Sequence, residues 1–178
     1  MTKGSDERRR LLDAMGVING LIERLWRGMA AFSGDEPLMA AAAAAAALVI
    51  VADGQVEPEE VETAVADMET EPTLRAGYLP AALESEVRSS IERARTAAGR
   101  AGNLAMVSTI RNRPVEQRNN VLLVAIDVAL AHRGISAVED GVLADLAERL
   151  SVDKAALTKA AETQRLVTGS GLDLGPAA

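Results

Sequence analysis

ALVIVADGQVEPEE, from Ala47 to Glu60, holds the end of one helix, a turn and the start of the next. Its apolar run stops at Asp53. Gly54 can take the positive φ that ends a helix without a Cβ penalty, and Pro58 suits the first turn of the helix that follows. Upstream, Leu38 to Ala52 is unbroken apolar sequence rich in alanine, shorter than the roughly 18 residues a membrane-crossing helix needs. It is expected to be a buried core helix. Downstream, Val61, Val65 and Met68 recur at helical spacing, and the pattern fades near Thr70.

Composition extends the helical reading to the whole chain. Of the 178 residues, 48% are apolar but only 2% aromatic, with Trp26, Phe32 and Tyr78 standing alone. Alanine and leucine are strong helix formers, whereas strands favour β-branched and aromatic residues. The expected fold class is all-α, with about eight helices in two pseudo-repeated halves and no sheet. There is no cysteine, which excludes disulfides, thiolate nucleophiles and zinc-thiolate sites, and His132 is the one histidine. Nothing pairs a nucleophile with a positioned base, so the chain is expected not to be an enzyme.

The net charge of −7 is unevenly spread. From Gly28 to Leu74 there are ten acidic residues and no lysine or arginine, so the rest of the chain is net +3. A surface polarised in this way repels a phosphate backbone and attracts cations or a protein partner with a basic surface. No nucleic acid partner is expected.

Reading outward in both directions gives the remaining elements. Leu11, Met15, Ile18, Ile22, Leu25 and Met29 mark a helix from about Asp6 to Met29, and Arg8, Arg9 and Arg10 are offset by Asp6, Glu7 and Asp13. Ser33 to Pro37 interrupts the pattern, with Ser33 or Asp35 available to cap the alanine helix. After Thr70, EPT and GYLP read as a connector. A helix from about Ala81 to Ala98 follows, with Leu83, Val87, Ile91 and Ala94 on one side; Gly99 and Gly102 punctuate it before a short helix carrying Leu104, Val107 and Ile110. Pro114 starts a strongly apolar helix from Val115 to about Ala131. Ser136 and Glu139 form an S-x-x-E capping box ahead of Val138, Val142, Leu146 and Leu150, and a last helix is expected near Val152 to Val167. The division is therefore residues 1–36 as helix and connector, 37–167 as the helical domain and 168–178 as a flexible tail. The expected core includes Val49, Ile50, Val61, Val65, Leu123, Ile126, Leu143 and Leu146.

The two junctions look like copies. Asp53 set against His132 aligns Val56 with Ile135 and Glu60 with Glu139, each flanked by an apolar helix before and an amphipathic helix after. An internal duplication accounts for this. ALVIVADGQVEPEE resembles the turn signature of the TerB tellurite-resistance family, and NRPVEQRNNVLLVAIDVALAHRGISAVED, Asn112 to Asp140, is similar to that family's second junction. The likeness covers roughly Met39 to Leu150. The second copy departs from the pattern, with His132 and Arg133 in place of Asp-Gly. The resemblance implies an all-helical fold, a link to tellurite resistance and stress, and work in membrane-associated, metal-responsive complexes.

Two readings of the junction acids stand side by side. Asp53 and Glu60 lie either side of a turn and, with Glu57, Glu59 and loop carbonyls, offer the oxygen donors that calcium, magnesium or manganese prefer. Equally, Glu57, Glu59 and Glu60 are first-turn acids of the kind that stabilise a helix N-terminus, with Asp53 capping nearby backbone. Asp127 breaks the apolar run VLLVAIDVALA and needs a partner; His132, Arg133 and Glu139 are near in sequence, and a wet groove or an arginine would serve as well. His132 either joins such a site or answers the helix dipole. Candidate metal ligands are thus Asp53, Glu57, Glu60, Asp127, His132 and Glu139. The functional expectation is a cytoplasmic protein that binds a divalent cation at the acidic junction within a stress-response or membrane-associated assembly. The alternative is a protein-interaction module without metal.

Overall fold

A computed structural model describes residues 34–131 and 134–170; the expected helix from Asp6 to Met29, His132, Arg133 and the end of the tail lie outside the described residues. These contain eight helices and no strand. They are α1 (Glu36–Ile50), α2 (Pro58–Thr70), α3 (Pro72–Gly77), α4 (Pro80–Ala94), α5 (Ala97–Thr109), α6 (Val115–Ala131), α7 (Ala137–Leu150) and α8 (Lys154–Ser170).

The alanine helix is the centre of the described helices. Every residue from Ala41 to Ile50 is buried, so α1 is covered on all sides, as a helix apolar all round must be. It packs on α6, α4 and α5 and touches α2 and α7. Alanine makes this crowding possible, because interaxial distance depends on the side chains at the contact. Asp35 begins the helix: its Oδ1 accepts the Leu38 amide at 3.2 Å, and Arg113 bonds the same carboxylate at 2.8 Å from the far side.

The two related halves show in how the helices pair. α1 and α6, which enter the two junctions, pack on one another; α2 crosses to pack on α6 and α7 crosses to touch α1. Gly54 and Gly134 both have φ of +84°. The left-handed turn survives in the second copy, one position later relative to the glutamate that follows it.

Several boundaries differ from the sequence reading. α1 ends at Ile50, and Val51 to Asp53 form turns. EPT and GYLP are not a plain connector: Glu71 Oε2 accepts the Leu74 amide at 2.8 Å and starts the short α3, which buries Leu74. Gly99 and Gly102 lie inside α5, which Thr96 caps by accepting the Gly99 amide at 3.0 Å. A Cβ on Gly99 would stand 1.7 Å from the Arg93 carbonyl oxygen, so this glycine serves the close approach of α4 and α5. α8 runs to Ser170, three residues past the expected Val167. In the core, Val65 and Leu123 are half-buried, while Leu122 and the other expected core residues are buried.

Candidate functional site

Each junction ends in a glutamate that turns back on its own helix. Glu60 Oε2 accepts the Glu57 amide at 2.9 Å, and Glu139 Oε2 accepts the Ser136 amide at 2.7 Å while the Glu139 amide reaches Ser136 Oγ at 3.3 Å. These satisfy backbone donors that the first turn leaves unpaired. Both side chains are nearly covered, at 5% exposure for Glu60 and 6% for Glu139. Their Oε1 atoms accept no hydrogen bond from the described residues. Asp53 sits in the exposed part of the first loop, where its Oδ1 accepts the Gln55 amide at 2.9 Å.

The junctions face each other electrostatically. Burial pushes the Glu60 carboxyl up from its ordinary pKa, the Glu57 amide pulls it down, and Asp53, Glu139 and Glu57 push it up again. Three carboxylates, two from its own junction and one from the other, thus act on Glu60, and among the described residues no arginine or lysine offsets them there. As placed, however, no three His, Asp or Glu side chains among the described residues converge to hold a metal ion. The capping geometry explains why: Asp53, Glu60 and Glu139 are each turned to a backbone amide rather than to a common point.

Asp127 belongs elsewhere. It lines a cavity of about 290 Å³ between α1, α2, α6 and α8, together with Asp67 and Gln164, and not a site shared with the junction glutamates. Burial raises its pKa and Arg165 of α8 lowers it. Arg165 also donates to the carbonyls of Asp127, at 3.4 Å, and Leu130. Asp67, which the sequence reading did not single out, is pushed up to about 7 by burial and then by Asp127, against the pull of Arg165. Its Oδ2 is buried without a hydrogen-bond partner. The groove and the arginine are the partners that an acid inside an apolar run requires.

A family model described as "Tellurite resistance protein TerB" matches residues 39–162. The chain belongs to the TerB family. The match runs from the fourth residue of α1 into the middle of α8, so it takes in both junctions and extends past Leu150, where the resemblance read from the motifs stopped. No curated protein and no solved structure matches the chain. The all-α architecture and the TerB relationship both agree with the sequence reading. Among the described residues, no helix of this TerB-like chain is long and apolar enough to cross a membrane.

Proposed function

We propose that this is a non-enzymatic, cytoplasmic TerB-like protein that takes up a divalent cation, such as calcium, manganese or magnesium, where its two junctions meet. Glu60 carries the reading. Its carboxyl is nearly covered and is destabilised by Asp53, Glu57 and Glu139 with no cation to offset them among the described residues. Such a site attracts a hard cation, and the unbonded Oε1 atoms of Glu60 and Glu139 are the donors it would meet first. Because the carboxylates are not gathered beforehand, binding must reorient Asp53 and is expected to be modest in affinity. Loading would change the charge at the helix starts and so couple the cation to a stress-response or membrane-associated assembly.

The test is calorimetric titration with calcium and with manganese at low salt, on the protein and on Asp53→Asn/Glu60→Gln. The reading expects saturable binding that the double variant loses while keeping its helical circular dichroism. Absence of heat and of thermal stabilisation with both cations would sink it.

A second reading is favoured by the hydrogen bonds themselves. Asp53, Glu60 and Glu139 each serve a backbone amide, so the junctions stand without metal. On that reading the protein is an interaction module whose acidic side takes a partner with a basic surface.

A further inference from the structure

We propose that the groove between α2 and α4 is the docking site for a basic amphipathic helix of a partner protein. The proposal rests on the interaction reading above and does not depend on cation uptake at the junctions.

The groove has a volume of about 460 Å³ and is built from one face of α2. Counted from Pro58, the residues Val61, Glu62, Val65, Ala66 and Glu69 stand at i+3, i+4, i+7, i+8 and i+11, so with Pro58 they form a single stripe along that helix. Val61, Val65 and Ala66 supply an apolar floor, and Val56, 39% exposed, extends it at the junction end. An apolar floor along one helix is the kind of surface on which an amphipathic helix lays its apolar side.

Charge selects the partner. Glu62 and Glu69 stand on one rim, seven residues or about 10.5 Å apart along α2. Neither forms an ion pair with another described residue. On the opposite wall the one basic lining residue, Arg88, is engaged by Glu84 at 2.7 Å. Three glutamates against one arginine leave the groove lining net −2. A helix presenting lysines or arginines two turns apart beside an apolar stripe matches both rim and floor, whereas an acidic helix or an anionic lipid surface is repelled.

The test uses the full chain and two synthetic 21-residue helical peptides, one of leucine and lysine with an amphipathic pattern and one with every lysine replaced by glutamate. The Leu/Lys peptide is expected to bind one to one, at least tenfold more tightly than the Leu/Glu peptide, and to shift backbone amide signals of α2 and α4. Glu62→Lys/Glu69→Lys is expected to weaken it at least tenfold. Glu62→Gln/Glu69→Gln, a gentler change, is expected to weaken it about threefold and keeps the question open to measurement should the charge reversal misfold. Val56→Asp is expected to weaken it as well. Binding that survives these variants, with shifts outside α2 and α4, overturns the groove while leaving an interaction role elsewhere on the surface. Lack of binding by the Leu/Lys peptide overturns the basic-partner reading altogether. A wild-type dimer in sedimentation that Val56→Asp dissolves would make a second copy of the chain the occupant and overturn the proposal equally.

Discussion

Asp67 of α2 and Asp127 of α6 line the same cavity, and Arg165 of α8 is the cation that lowers the pKa of both. One positive charge therefore serves two carboxyls that lie on different helices. The pair does not balance: Asp67 is pushed up to about 7, and its Oδ2 has no hydrogen-bond partner. The fold tolerates this because protonating Asp67 removes the conflict at modest cost near neutral pH.

That arrangement fixes the sign of a pH dependence. The folded protein holds the Asp67 proton to about pH 7, against an ordinary value of 3.8. Its stabilising effect is complete below about pH 4 and is lost as the pH rises to about 7, with Asp127 and Glu60, also raised, acting in the same direction. Thermal unfolding is expected to show a lower Tm at pH 8 than at pH 5. Asp67→Asn should flatten that slope. Solvent in the cavity screens part of the effect, so a gain on the order of 3 °C at pH 8 is expected, with little change at pH 5. Equal slopes in the two proteins would refute the pairing.

Leu122 and Leu123 test the rotation of α6. Leu122 is fully buried and Leu123, which was expected in the core, is half-buried. Leu122→Ala is expected to cost about 2–5 kcal/mol and Leu123→Ala about half as much, measured by urea unfolding. In a helix apolar on nearly every side, periodicity cannot say which leucine points inward.

The same physics decided what was legible elsewhere. The junctions announced themselves because Gly54, Pro58, Ser136 and Glu139 act locally, through backbone angles and first-turn amides, and such signals are written within a few residues. Asp127 was visible as an intruder in an apolar run, but Asp67 was not. Asp67 is one of five acidic residues of α2, and only the packing of α2 on α6 sets it against Asp127. The candidate metal ligands were legible as residues at helix starts; that their oxygens turn to separate amides is a matter of rotamers, which spacing does not encode.

Gly99 and Gly102, which share α5, are expected to respond to alanine with opposite signs. At Gly99 the new Cβ meets the Arg93 carbonyl, a backbone atom that moves only if α4 and α5 separate. A loss of about 1–3 kcal/mol is expected. At Gly102 nothing lies within 4 Å, so alanine supplies helix propensity without a clash and should gain up to about 1 kcal/mol. Denaturant midpoints of the two variants, measured side by side, decide it.

Glu60 separates the two readings of the junction, because it can be changed in two ways. Glutamine at this position keeps an oxygen able to accept the Glu57 amide, now held at 2.9 Å, and removes the charge that Asp53, Glu57 and Glu139 oppose. Without added cation, Glu60→Gln is therefore expected to be at least as stable as the parent at pH 8, with the advantage shrinking as the pH falls. Glu60→Ala removes the acceptor as well and is expected to lose roughly 1 kcal/mol at either pH, the usual scale for a missing cap. With calcium or manganese added, the parent alone should gain Tm, while both variants should lose that gain, since neither offers a charged oxygen at this position. A calcium-dependent gain undiminished in Glu60→Gln would remove Glu60 from the cation reading. Glu60→Gln losing as much as Glu60→Ala at pH 8 would mean that the charge stabilises the helix start, and that the repulsion inferred around it is outweighed by the macrodipole.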